Sequence, residues 1–211
     1  PYRRQRQMCI RDSDKIVHQL MLHSMDLPNV SLYHGKMGIV LALYSYATRK
    51  RDEHLKEYAW DLLQTIYDEL SDTLPYGIEW GLSGIGVGIT LLKKYGVFDV
   101  DLNAVLADID QRIMSYDPRR LTDFSYRSGV TGIYYYLWLR TQVESPLQKF
   151  DSVYLKELYQ NIQTHGVSVH CLHHENYWYN ELAIPAWSVN EYPNHPLDLD
   201  GGMSYFLISL M

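Results

Sequence analysis

Four segments of this 211-residue chain share one shape, and their recurrence limits what it can fold into. Each has a polar or turn-forming approach, a glycine-rich start and an apolar helix. They are SLYHGKMGIVLALYSYA (31–47), EWGLSGIGVGITLLKKY (79–95), YRSGVTGIYYYLWLR (126–140) and a worn copy, DLDGGMSYFLISLM (198–211). Three carry Gly-x-x-Gly followed by Ile, at Gly35/Gly38, Gly81/Gly84 and Gly129/Gly132. In the fourth, Gly201 is read as the repeat glycine, with the small Ser204 three residues on. The first two spacings are 46 and 48 residues; the third is 72, so about 25 residues are extra there.

Amphipathic segments lie between the copies. Residues 52–71 put Leu55, Tyr58, Ala59, Leu62, Leu63, Ile66 and Leu70 on one helical face. Residues 101–115 do the same with Leu102, Val105, Leu106, Ile109 and Ile113, and residues 152–163 with Leu155, Leu158, Tyr159 and Ile162. Residues 14–25 partner the first copy. The glycine-led segments are apolar nearly all round, so they are expected to be buried on both sides. No segment has a convincing strand period. A one-sided outer helix followed by a buried inner helix, repeated, builds a solenoid or a closed ring. The apolar inner helices favour the ring, an all-α α/α toroid, here a partial one.

The stretch GLSGIGVGI (81–89) is not a phosphate loop. A dinucleotide site needs a strand before its glycines within a βαβ unit, and none is visible. Glycines at i and i+3 leave one face of the first helical turn bare, so that a neighbouring helix can approach. A cost of about 1 kcal/mol per glycine, repeated at matching places, implies a geometric demand.

Residues 1–13, PYRRQRQMCIRDS, lack this pattern and resemble read-through of a sequencing adaptor. They are read as a non-native segment outside the fold, with a basic arm as the alternative. Without them the chain holds 15 Lys+Arg against 24 Asp+Glu, a net charge of −9. That argues against a broad nucleic-acid-binding face. Cys171 is then the lone cysteine, which fits a reducing, cytoplasmic setting. No apolar run reaches the ~20 residues of a membrane span. Residues 14–211 are taken as an incomplete domain, because the sequence stops inside an apolar segment.

In a toroid the residues just before the repeat glycines meet at one rim: His34, Glu79 and Trp80, Arg127 and Ser128, Asp198 and Asp200. Helix N-termini there favour an anionic or thiolate ligand. His34, Glu79, Asp123 and Asp200 are the candidate catalytic positions. The carboxylates Glu79, Asp123, Asp198 and Asp200 suggest either glycoside chemistry, which uses a carboxylate pair, or simple helix capping. HGVSVHCLHHENYWY (165–179) holds the densest set of ligand types: His165, His170, Cys171, His173, His174 and Glu175. It lies in an extra stretch, 165–199, with little helical period. Its spacing matches no standard zinc motif. The competing reading is a loop anchored by Trp178, Trp187 and Tyr192 that packs over one face of the ring or helps form a lid.

The repeated Gly-x-x-Gly-Ile starts, above all SLYHGKMGI and GIEWGLSGIGVGI, resemble the lanthionine synthetase C-like (LanC-like) proteins, specifically members of the Bacteroidetes type. The resemblance covers 14–143 well and 151–211 loosely. It implies an α/α toroid. Catalytic members use zinc, held by two Cys and one His in Trp-Cys-x-Gly and Cys-His-Gly contexts, to add a cysteine thiol of a precursor peptide across a dehydroalanine or dehydrobutyrine. Neither context occurs in this chain, so the family's zinc is not supported by its residues: the site is expected either to be absent or to lie beyond Met211, and a cyclase activity is expected only in the second case. The resemblance therefore implies a precursor peptide as partner, with three functions to separate: thioether ring formation, metal-free binding of a peptide or partner protein, and carbohydrate chemistry at the rim.

Overall fold

The structure, a computed structural model, describes residues 2–143, 150–188, 191, 193 and 195–209, with residues 2–11 described by their backbone alone. The helices are α1 (Tyr2–His23), α2 (Lys36–Lys50), α3 (Glu53–Asp68), α4 (Leu82–Lys94), α5 (Leu102–Val105), α6 (Ala107–Met114), α7 (Val130–Val143), α8 (Ser152–Thr164), α9 (Tyr177–Asn180) and α10 (Met203–Ile208). Among the described residues there is no strand. The chain divides into two compact units, Pro1–Ser71 with Leu182–Met211, and Asp72–Glu181. In the first, α2 packs on α3 and on α10; in the second, α4 packs on α6 and α7, and α7 on α8.

Each unit has the alternation expected of an α/α toroid. The inner helices are buried over most of their surface, and in α4 every residue from Leu82 to Leu92 is buried. The outer helices bury one stripe, which in α3 is Leu55, Ala59, Leu62, Leu63 and Ile66. The expected single helix at 101–115 is interrupted at Leu106, which ends α5 and opens α6. In α8 the buried stripe is Tyr154, Leu158 and Ile162, while Tyr159 is exposed. The face is rotated because the Tyr154 hydroxyl reaches the Ile113 carbonyl, 3.3 Å away.

The repeats start on one loop design. The first amide of each inner helix donates to a carbonyl seven residues back: Lys36 to Asn29, Leu82 to Pro75, Val130 to Asp123 and Met203 to Pro196, at 2.8–2.9 Å. This register places Gly202, not Gly201, in the cap position of the fourth copy, where the structure caps α10. Gly201 instead takes a left-handed φ of 78°, which disfavours any side chain. The cap glycines are needed for space. A Cβ on Gly35, Gly81, Gly129 or Gly202 would land on the carbonyl six residues back.

In the first and third copies the second glycine admits a neighbouring loop rather than a helix. A Cβ on Gly38 would land on the Leu32 carbonyl of its own approach loop and come within 2.8 Å of Leu199 Cβ, and one on Gly132 would land on the Tyr126 carbonyl and come within 2.8 Å of Ile78 Cγ1. Leu199 and Ile78 each stand three residues before a cap glycine. The second copy adds a close approach to another helix. Gly84, the repeat position there, is buried in the first turn of α4, and its amide reaches the Gly77 carbonyl at 3.4 Å. The close approach described in that helix falls two residues later, at Gly86, where the ring of Tyr136 occupies the place of a Cβ.

The loops of the first and third copies are also joined to their neighbours by backbone. In the first unit the Tyr33 carbonyl accepts the amides of Leu199 (3.0 Å) and Asp200 (3.1 Å). In the second the Arg127 carbonyl accepts those of Ile78 (2.8 Å) and Glu79 (2.9 Å). One joint is thus made twice, by different stretches of chain.

Two buried charges fall where the sequence pattern reads only core and surface. Lys36 is 1% exposed, and its Nζ bonds Glu69 Oε1 at 2.6 Å and Oε2 at 2.8 Å. Arg140 is fully buried and reaches Asp110 Oδ2 at 3.1 Å. Asp110 also accepts the Tyr136 hydroxyl. Burial first, then the Asp110 charge, holds that hydroxyl protonated well above the usual tyrosine range.

Candidate functional site

The loop ahead of α2 carries His34 at the residue before the cap glycine. Its backbone is set by Asn29, whose side-chain oxygen accepts the Ser31 amide at 2.9 Å, and by the Lys36 to Asn29 closure. The joint with the loop ahead of α10 then brings two carboxylates to the ring. His34 Nδ1 is 3.0 Å from Asp198 Oδ2, and Nε2 is 3.9 Å from Asp200 Oδ2. An Nδ1–H donated to Asp198 leaves Nε2 as the basic nitrogen. Asp200 is fixed in turn, since its Oδ1 accepts the Ala183 amide at 2.5 Å. The Trp187 indole N–H donates to the Gly201 carbonyl at 3.0 Å, and its ring stacks on His195 at 4.1 Å. The His34 side chain is 17% exposed, enough for one face to meet a ligand. A base oriented by a carboxylate is the arrangement that proton transfer needs.

The other unit puts different chemistry on the same loop. Glu79 pairs with Arg127, Oε1 to NH1 at 3.0 Å, and Arg127 NH2 donates to the Glu181 carbonyl at 2.6 Å. Asp123 is spent on its own loop. It accepts the Ser128 hydroxyl at 2.6 Å and the Ser125 amide at 2.8 Å. Those two bonds, the hydroxyl's first, hold its carboxyl below the ordinary range. Asp123 is therefore a poor proton donor and a good turn former.

The His-rich stretch distributes its ligand types among separate partners. His165 Nδ1 lies 2.9 Å from the Asn161 carbonyl, and its ring packs on Phe124. His173 Nε2 is 2.9 Å from the Tyr134 hydroxyl, and its ring stacks on Trp138. His170 meets His173 edge to face, and His174 Nδ1 accepts the Asn176 amide at 3.2 Å. Glu175 pairs with Lys94. Cys171 is exposed, with Sγ 3.9 Å from the Ser168 carbonyl. Among the described residues, no three of these six side chains bring ligand atoms within 4.8 Å of one another. A zinc–thiolate centre needs two thiolates and a histidine converging, and the residues present do not fit one. Of the expected anchors, Trp178 is buried and Trp187 is pinned as above. Tyr192 lies outside the described residues.

Sequence reasoning placed His34, Asp198 and Asp200 at one rim but did not pair the histidine with either carboxylate. Lys36, Asp110 and Arg140 were missed. An Asp at an inward helical position, and a Lys directly after a cap glycine, were the available signals.

No helix among the described residues is long and apolar enough to cross a membrane. A search of curated proteins returns no match. The sequence model of the family described as lanthionine synthetase C-like protein matches residues 26–184. That span holds three of the four glycine-led helices and their loops, and the chain belongs to the lanthionine synthetase C-like family.

Proposed function

We propose that this chain acts on a peptide, as a LanC-like peptide-modification protein in which His34 moves a proton. The observation that carries this reading is His34 set against Asp198, with Asp200 facing its other nitrogen. In thioether formation the peptide's thiol sulfur bonds the Cβ of a dehydroalanine, and the thiol proton ends on Cα. Nε2 of His34 is suited to take that proton and to return it. No step is assigned to zinc, because the residues around Cys171 do not fit a zinc–thiolate centre. A precursor peptide as partner and a cytoplasmic setting belong to the same proposal.

A second reading, metal-free peptide binding without chemistry, is favoured by the lack of a thiolate set around Cys171. Carbohydrate chemistry is disfavoured by the engagement of Asp123 with its own loop and of Glu79 with Arg127. The test is to mix the protein with a peptide bearing one cysteine and one dehydroalanine and to count free thiol by alkylation and mass spectrometry. Thiol loss above background, falling at least about tenfold in His34→Ala, supports the proton-transfer role. Binding without thiol loss supports the second reading. Neither binding nor thiol loss overturns both.

A further inference from the structure

The joint between the loops ahead of α2 and α10 does more than orient His34. It sets Asp200 Oδ2 3.9 Å from Nε2. A hydrogen bond between nitrogen and oxygen closes by about 3.2 Å, so this gap is too wide for one. It is narrow enough for a single ion. A cation such as Zn²⁺ holds an imidazole nitrogen and a carboxylate oxygen at about 2.0–2.2 Å each, so one ion spans donors up to about 4.2 Å apart.

Both donors are already aimed. Asp198 Oδ2, 3.0 Å from Nδ1, accepts that nitrogen's proton and turns the Nε2 lone pair outward. A carboxylate behind the imidazole is the common outer support of a metal-bound histidine. The Ala183 amide holds Asp200 Oδ1 at 2.5 Å, which leaves Oδ2 on the side of the ring. The backbones are locked too, because the Asp200 amide donates to the carbonyl of Tyr33, the residue before His34. The His34 and Asp200 side chains are 17% and 8% exposed, so a small ion reaches donors that water covers only in part.

The second unit shows what the same joint does with its carboxylate. There the Glu79 amide donates to the joint carbonyl, as the Asp200 amide does in the first. Glu79 meets a cation built into the chain, the Arg127 guanidinium at 3.0 Å, and Arg127 also supplies the joint carbonyl. The first unit has the uncharged Tyr33 in that place, and its carboxylate faces a nitrogen that takes either a proton or a metal.

We infer that His34 and Asp200 bind a first-row divalent cation of the Zn²⁺ class, with water in its remaining positions. The donors are nitrogen and oxygen, unlike the thiolate set that the family resemblance implies. The binding does not depend on proton transfer. Its consequence rests on that reading of His34: the ion occupies the lone pair that takes the thiol proton and so holds the site off.

The experiment adds Zn²⁺ alone to the full chain and measures binding by calorimetry, then adds Co²⁺ alone to ¹⁵N-labelled protein and follows paramagnetic broadening. Co²⁺ should broaden the amide signals of His34, Ala183 and Asp200 before those of residues 165–175. Asp200→Asn keeps an oxygen for the Ala183 amide and should weaken Zn²⁺ at least about tenfold. Asp198→Asn, which loosens the imidazole, should weaken it by about 10–100-fold. His170→Gln should leave the affinity unchanged. Mg²⁺, which prefers oxygen donors throughout, should not displace Zn²⁺ at equal concentration. Melting curves without metal check that each variant is folded; where Asp200→Asn is not, the Co²⁺ broadening of the unaltered chain decides. Broadening centred on residues 165–175, an unchanged affinity in folded Asp200→Asn, or displacement by equimolar Mg²⁺ would overturn the inference. Zn²⁺ held at His34 by a protein that shows no thiol loss when metal-free supports the cation site and removes only the proton-transfer role.

Discussion

The two units make the same loop joint and decorate it differently. In one, the Tyr33 carbonyl gathers the amides of Leu199 and Asp200, and the side chains beside it are His34, Asp198 and Asp200. In the other, the Arg127 carbonyl gathers Ile78 and Glu79, and the side chains form a Glu79–Arg127 ion pair. Backbone closure and bare glycines carry the geometry in both. The joint uses only backbone atoms, and the candidate chemistry sits on side chains one or two residues before the cap, His34, Glu79, Arg127 and Asp200, and on Asp198, four before it.

The widest divergence between the units is in their buried charge. Arg140→Leu strands Asp110 in a dry site and should cost about 3–5 kcal/mol, seen as a lower urea midpoint. Lys36→Met should cost only about 1 kcal/mol, because Glu69 is 41% exposed and can be hydrated. Equal losses would mean that the two pairs are buried alike. Next come the joints themselves. Gly38→Ala and Gly132→Ala each force a methyl against the carbonyl of their own approach loop and a side chain of the neighbouring loop, and each should cost about 1–3 kcal/mol by thermal or urea unfolding. A loss in only one would break the equivalence of the joints.

A finer contrast concerns the second residue of the inner helices. Ser204 Oγ donates to the Leu197 carbonyl at 2.6 Å and Thr131 Oγ1 to the Phe124 carbonyl at 3.0 Å. Ser83 Oγ, buried at the same position, has no such bond among the described residues. Ser204→Ala should cost about 1 kcal/mol, whereas Ser83→Ala should be neutral or stabilising. The smallest effect depends on pH. Asn29 and Asp123 occupy the same loop position and bond the same backbone amide, of Ser31 and Ser125. Only Asp123 titrates. Its folded pKa is depressed, so its contribution is fully present above the unfolded value of about 3.9 and is lost as pH falls through the folded value. Asp123→Ala should therefore cost up to about 1 kcal/mol at neutral pH and less in acid, while the cost of Asn29→Ala should stay level across that range. Unfolding curves at several pH values separate the two.

The helices were legible because their periodicity is a property of adjacent residues. Leu55, Ala59, Leu62, Leu63 and Ile66 announce one buried face, and the bare starts of α2, α4 and α7 announce the repeat. The fourth copy was misread by one residue because GG offers two glycines, and only the closure from Met203 to Pro196 distinguishes them. In the second copy the repeat pattern points to Gly84, while the ring that needs room arrives at Gly86, and that ring belongs to another helix. The site was legible as a set of positions and not as a set of partners. Nothing near His34 in the sequence points to Asp198, because the pair is made by a joint between distant loops. The inward Asp110 was hidden for a related reason: it answers Tyr136 and Arg140, which belong to another helix.

The separation of His34 and Asp198 by 164 positions also sets a schedule. At roughly 5–20 residues per second of ribosomal synthesis, His34 is made on the order of ten seconds or more before its carboxylate exists. During that interval the face of α2 that receives Leu199 has no cover from its own chain. A nascent polypeptide in that state exposes Gly38 and the apolar residues around it, the kind of surface that chaperones bind. The imidazole gains its orienting carboxylate only when the loop that carries Asp198 docks, so a translation product stalled before Asp198 would lack the dyad.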